Sequence, residues 1–216
     1  MKIIIMFLTI FFYTEIIHLA SSDPDQLQDF CIPHNTSSPS SNPLPCKNST
    51  LVKVEDFIYS GIKNPGKFKN GFAGVSVTSE AFPGLNTLGM SFVRADFDVG
   101  AINVPHYHPR ATETAFLLKG KMYSGFVDSQ NRVFAKVIEE GEVMVFPKGL
   151  VHFQMNVGDG KATILGSFNS QNPGVVRIPA AVFGSGIAEE LLEKAFGLNS
   201  KETKKIRKKL GFKEHK

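Results

Sequence analysis

GAINVPHYHPRATETAFLLKG, residues 100–120, is the stretch on which the fold turns. His106 and His108 are separated by one residue. Alternate residues of a β-strand project from the same face, so both imidazoles can turn into the lumen of a barrel. Pro109 ends that strand, the chain bends, and Glu113 can return a carboxylate to the same point from an adjacent strand. A His-x-His pair alone is weak, because histidines also pair on ordinary strands. A second stretch, GEVMVFPKGLVHFQMN at residues 141–156, strengthens it. There a strand ends at Pro147, Gly149 permits a tight turn, and His152 opens the returning strand, where it adds a third nitrogen ligand. Beyond residue 22 the histidines stand at 34, 106, 108, 152 and 215, and three of these five fall in the two stretches. Together they predict a metal site. Three imidazoles and one carboxylate suit Mn, Fe, Co, Ni or Zn alike. Four protein ligands with room for water fit an octahedral redox ion better than a closed tetrahedral zinc site.

Outward from these stretches, short runs of β-branched and aromatic residues occupy 88–97, 114–118, 121–127, 133–138, 143–146, 151–157 and 162–168. Seven runs at this spacing have the rhythm of a β-sandwich or barrel. The 19 Gly, 12 Pro and 19 Phe agree with many short strands between turns and argue against a helical bundle. A chain of 216 residues with 42% hydrophobic and 20% charged residues is expected to hold one all-β domain.

The ends read differently. Residues 1–20, MKIIIMFLTIFFYTEIIHLA, carry Lys2, an apolar run and small residues after it, the pattern of an export signal spanning 1–22. Glu15 and His18 make this segment too polar for a comfortable membrane span. Residues 23–70 form an irregular arm, with SSPSSNPLP at 37–45 as a Pro-punctuated loop. Cys31 and Cys46 flank that loop, and an even count in an exported chain favours a disulfide. Asn35 and Asn48 head Asn-x-Ser/Thr tripeptides, so both are candidate glycosylation sites. The barrel is expected over 71–182, and helices with a basic tail over 183–216. Residues 188–196 (AEELLEKAF) start acidic and stop at Gly197; Ser200 is the expected N-cap of a second helix to about 210, with Ile206 and Leu210 on one face. Residues 201–216 hold eight Lys or Arg against two Glu, so the tail carries +6 and the rest of the chain −2 of the net +4. That concentration excludes a basic nucleic-acid groove with interleaved aromatics. It is expected to be a solvated helix end, with Lys204, Lys205, Arg207, Lys208 and Lys209 as the alternative contact to an acidic cell-wall polysaccharide.

The two histidine stretches resemble the paired cupin motifs. Their surroundings resemble the germin and germin-like proteins of plants: QDFC at 28–31, PGLNTLG at 83–89, HPRATE at 108–113 and FNSQNPG at 168–174. The resemblance runs from residue 23 to about 210. It implies a cupin β-jelly-roll barrel with a disulfide-pinned N-terminal arm and a C-terminal helical pair, and a homo-hexamer built as a trimer of dimers. It also implies a Cys31–Cys46 disulfide, a secreted apoplastic protein linked to plant defence, and manganese on His106, His108, Glu113 and His152. Members of the family dismute superoxide or oxidise oxalate. By the same resemblance, asparagines near the metal hold oxalate in true germins; here Asn103 matches one such position and Val93 stands at the other. Little or no oxalate oxidase activity is therefore expected, with a non-catalytic, wall-associated oligomer as the alternative to an enzyme.

Overall fold

The computed structural model describes residues 28–34 and 45–212. Ten strands follow one another: β1 (Phe72–Val77), β2 (Ser91–Phe97), β3 (Ile102–Tyr107), β4 (Glu113–Lys119), β5 (Lys121–Val127), β6 (Val133–Glu139), β7 (Val143–Phe146), β8 (His152–Asn156), β9 (Ala162–Phe168) and β10 (Val176–Arg177). Helices α1 (Ile178–Phe183), α2 (Glu189–Phe196) and α3 (Ser200–Leu210) follow them among the described residues. The strands form two five-stranded antiparallel sheets, ordered β1-β2-β9-β4-β7 and β10-β3-β8-β5-β6. The expected cupin jelly-roll is the architecture found.

Alternation in the sequence creates the inner faces. In β4, Glu113, Ala115 and Leu117 are buried while Thr114, Phe116 and Leu118 face outward. In β9, Ala162, Ile164 and Phe168 are buried on the same rhythm. The lumen is not uniform along its length. One end is packed with Phe97, Leu117, Met122, Ala162 and Ile164, with Phe72 against Phe97 at 5.0 Å between ring centroids. The other end holds Glu113 at the start of β4, His152 at the start of β8 and His106 near the end of β3. An apolar plug thus supports a polar mouth.

Gly120 is the only residue between β4 and β5, which belong to different sheets. Its φ of 94° is open to glycine, and a Cβ there would lie 2.8 Å from the Cβ of Ala162. The chain can therefore cross from one sheet to the other in a single residue.

At the N-terminal side, Cys31 and Cys46 are joined by a disulfide. Asn86 Nδ2 donates to the Cys31 carbonyl at 2.9 Å, and Phe30 packs edge-on against Phe57 at 5.4 Å. The disulfide and the Phe30–Phe57 contact hold the arm to itself, and the Asn86 hydrogen bond ties it to the segment leading into β2. The expected export signal, Asn35 and most of the Pro-rich loop lie outside the described residues.

Several expectations are corrected. The run at 88–97 becomes a strand only from Ser91, because Thr87 and Gly89 have φ of 67° and 63° and turn the chain. Strand β1 was not foreseen; Gly74 interrupts its apolar run, and pairing with β2 supplies the order that propensity does not. Helix α1 was not foreseen either, since Pro179 reads as a break but here occupies the first turn, where its missing N–H costs nothing. Helix α3 is capped by Asn199, not Ser200: Asn199 Oδ1 accepts from the Glu202 N–H and Glu202 accepts from the Asn199 N–H. The buried residues of α3 are Thr203 and Arg207, while Leu210 is exposed. Arg207 is only 4% exposed and donates to the Ile187 carbonyl at 3.1 Å. It is therefore withdrawn from the basic surface that the charge run suggested, leaving Lys204, Lys205, Lys208 and Lys209 exposed. No helix of the described residues is long and apolar enough to cross a membrane.

Candidate metal centre

His106 stands directly opposite His152 in the β3–β8 pairing, whose register shifts between Asn103 and His106. Such an irregularity re-aims the side chains beyond it. The strand containing His106 ends at Tyr107, one residue before His108. Glu113 is not on a strand adjacent to β3, as the spacing suggested: β4 pairs with β9 and β7 in the facing sheet. Residues 108–112 carry the chain across the lumen, so the carboxylate meets the imidazoles from the opposite wall. The cluster therefore bridges the two sheets.

One ligand atom from each of His106, His108, Glu113 and His152 lies within 4.8 Å of the others, and all four residues are buried. Glu113 Oε2 is 3.2 Å from the Nε2 of both His108 and His152. Each imidazole is held from behind. The Nδ1 of His106 faces the Val104 carbonyl at 2.8 Å, that of His152 faces the Leu150 carbonyl at 2.9 Å, and that of His108 faces the Gly174 carbonyl. A carbonyl accepts only, so these contacts assign the proton to Nδ1 and leave Nε2 as the inward donor atom. Phe146 stacks on His152 at 4.4 Å between centroids, and Phe168 packs against His108 at 4.6 Å. The rings have little freedom to turn away.

The electrostatics agree. Burial, then the neighbouring His152, pushes His106 down to about 3, so its imidazole is neutral near pH 7. Burial raises Glu113, but contacts from His108 and His152 outweigh it and hold the carboxyl down to about 2. Three Nε2 atoms and a carboxylate thus converge on one buried spot. This donor set fits a bound cation.

The cluster opens onto a cavity of about 330 Å3. Asn103 lines it, donating from Nδ2 to Gln154 Oε1 at 2.9 Å, with Nδ2 also 3.5 Å from the His106 Nε2. Val93 lines it as well and faces Gly166 in the β2–β9 register. A Cβ on Gly166 would sit 2.6 Å from Val93 Cγ1 and 2.7 Å from Glu113 Oε1. Glycine at 166 is what allows the valine and the carboxylate to coexist. Sequence reasoning singled out neither Gly166 nor Gln154; the latter was visible only as the residue two after His152, and hence on the same face of β8.

Two facing antiparallel sheets with a His3Glu cluster at one end define a cupin barrel, and the Cupin family model matches residues 60–204. The chain is 64% identical over 195 residues to germin-like protein subfamily 3 member 2 of Arabidopsis thaliana, covering 88% of this chain and 86% of that protein. It is 56% identical over 200 residues to germin-like protein 2-4 of Oryza sativa subsp. japonica, covering 89% and 87%. It belongs to the germin-like proteins of the cupin family. Among solved structures it is similar to an oxalate oxidase in complex with the substrate analogue glycolate, with a TM-score of 0.83 and 38% identity over 88% of this chain and 98% of that one.

Proposed function

We propose that this chain is an exported germin-like protein that binds manganese through His106, His108, Glu113 and His152 and dismutes superoxide, with little or no oxalate oxidation. The observation that carries the reading is the convergence of three Nε2 atoms and one carboxylate on a buried point open to a cavity. Bound there, manganese would supply one-electron exchange with superoxide, two of which with two protons give O2 and H2O2. The chain's own contributions are definite. Carbonyls of Val104, Leu150 and Gly174 orient the imidazoles, Phe146 and Phe168 pack against the rings of His152 and His108, and Asn103 with Gln154 lines the approach. Val93 supports weak oxalate turnover, because one end of a dianion would face a side chain without a donor.

The test couples metal analysis of the natural protein to superoxide consumption before and after metal removal. Loss of dismutation in His152→Ala with assembly intact supports the enzyme. Hydrogen peroxide released from oxalate by manganese-loaded protein would sink the specificity claim.

A non-catalytic, wall-associated oligomer is the second reading. It is favoured by Phe116, Leu118, Val143 and Val145, apolar residues 37–58% exposed on the outer face of β4 and β7. Such a patch fits burial against other copies in the trimer of dimers. Loss of the hexamer on His152→Ala would favour this reading. In the exported setting, residues 1–22 are the cleaved signal and Asn35 and Asn48 carry glycans; Asn48 is exposed, as modification requires.

A further inference from the structure

The cavity above the cluster has two unlike walls. Phe92, Val93 and Phe168 line one side, while Asn103, Gln154 and Arg177 line the other. Arg177 lies directly opposite His106 in the β10–β3 register, and opposed residues of an antiparallel pair project to the same side. The guanidinium is thereby directed to the mouth of the cavity, beside the ring of a proposed ligand. Among the described residues, Arg94, Arg132 and Arg207 have carboxylate partners and Arg110 donates to Asn172, whereas Arg177 has neither an ion pair nor a hydrogen bond from its side chain. Glu80 also lines this mouth without pairing with Arg177. The Gln154 carboxamide spends its oxygen on Asn103, and none of the described residues accepts from its nitrogen. The polar wall therefore offers an uncommitted guanidinium and an uncommitted amide donor, opposite a wall with nothing to hold a second charge.

We propose that Arg177 is the anion-selecting residue of this cavity, and that its ligand is a small organic monoanion with its charge on the Arg177–Gln154 side and its apolar part against Val93 and Phe168. This rests on the cluster being the metal centre only for what meets the inner end of the ligand. A planar fork of N–H donors suits a carboxylate, and a lone lysine would reproduce the charge but not the paired geometry. Glu80 at the mouth disfavours a second negative charge, so dianions are selected against on two grounds.

Calorimetric binding of glycolate and of oxalate to parent, Arg177→Ala, Arg177→Lys and Glu80→Gln proteins tests this, with metal content measured in each preparation. Arg177→Ala should weaken glycolate about tenfold at unchanged metal content, the loss expected for one charge-assisted pair near solvent. Arg177→Lys should recover only part of it. Glu80→Gln should strengthen oxalate more than glycolate. Equal glycolate affinity in parent and Arg177→Ala, both fully metal-loaded, overturns the proposal, as does an Arg177→Ala protein that has lost its metal. If the parent takes up no metal, the reading of the centre falls separately. Glycolate binding to the metal-free chain then decides: sensitivity to Arg177→Ala upholds the selector, and no binding refutes it.

Discussion

Gly166→Ala is the most discriminating single change at the centre. The added methyl would sit 2.7 Å from Glu113 Oε1 and 2.6 Å from Val93 Cγ1, against an ordinary contact of 3.4 Å or more. About 0.7 Å must therefore be found. The Val93 methyl and the Glu113 carboxylate are both side-chain ends, so the two compete to yield. Overpacking of this size costs roughly 1–3 kcal/mol of stability, about 2–4 °C in Tm for each kcal/mol in a chain of this length. A displaced ligand carboxylate lowers metal affinity by about 10–100-fold, as loss of a supporting contact does elsewhere. Chelator competition followed by metal analysis reads the affinity, and differential scanning calorimetry reads the stability. Because Val93 faces Gly166 across β2 and β9, the double variant Val93→Ala/Gly166→Ala should recover most of the metal affinity. Parent-like affinity in Gly166→Ala, or no recovery in the double variant, refutes the argument that glycine reserves space for the ligand.

Three further outcomes are expected. In the metal-free protein, His106 titrates near 3 when folded and near its ordinary 6.5 when unfolded, so the unfolded chain binds the extra proton and stability falls as pH drops from about 6.5. Glu113, held near 2 against an ordinary 4.5, removes stability over the lower window in the same direction. Urea midpoints of metal-free protein should decline steadily below pH 6.5 and stay level just above it; a flat profile from pH 7 to 4 contradicts this. Replacing both Cys31 and Cys46 by Ser opens a loop of 15 residues, a loss of about 3 kcal/mol measurable by chemical denaturation. Converting exposed Lys204, Lys205, Lys208 and Lys209 to Gln should abolish any low-salt retention on a pectate column, whereas Arg207→Gln should instead lower Tm, because Arg207 is buried against the Ile187 carbonyl. Retention unchanged by the four lysine replacements removes the polysaccharide reading.

Much of the barrel was legible because inner and outer residues alternate: the runs at 121–127, 143–146 and 162–168 are strands over those residues. What was hidden has specific causes. Strand β1 has a glycine in its middle and is ordered by β2. Helix α1 opens on a proline that looks like a terminator in one dimension. Arg207 looks like one more cation of a basic tail until a carbonyl and Glu189, 3.8 Å away, take its charge inward. Periodicity reports which residues share a face, and says nothing of what that face meets.

The centre divides along the same line. Residue type and local spacing determined the four candidate donors, since two histidines one residue apart, a glutamate five beyond and a histidine after a Pro-Gly turn are covalent facts of the chain. Tertiary structure decided that Glu113 comes from the facing sheet, that the Gly174 carbonyl reaches His108, and that Gly166 clears the carboxylate's position. It also placed Arg177 opposite His106, though 71 positions separate them in the sequence. Donor identity, and for His106 and His152 the carbonyl that fixes the tautomer, are local chemistry, whereas the convergence of the donors and the free space around them are set by residues that only the pairing of distant strands brings together.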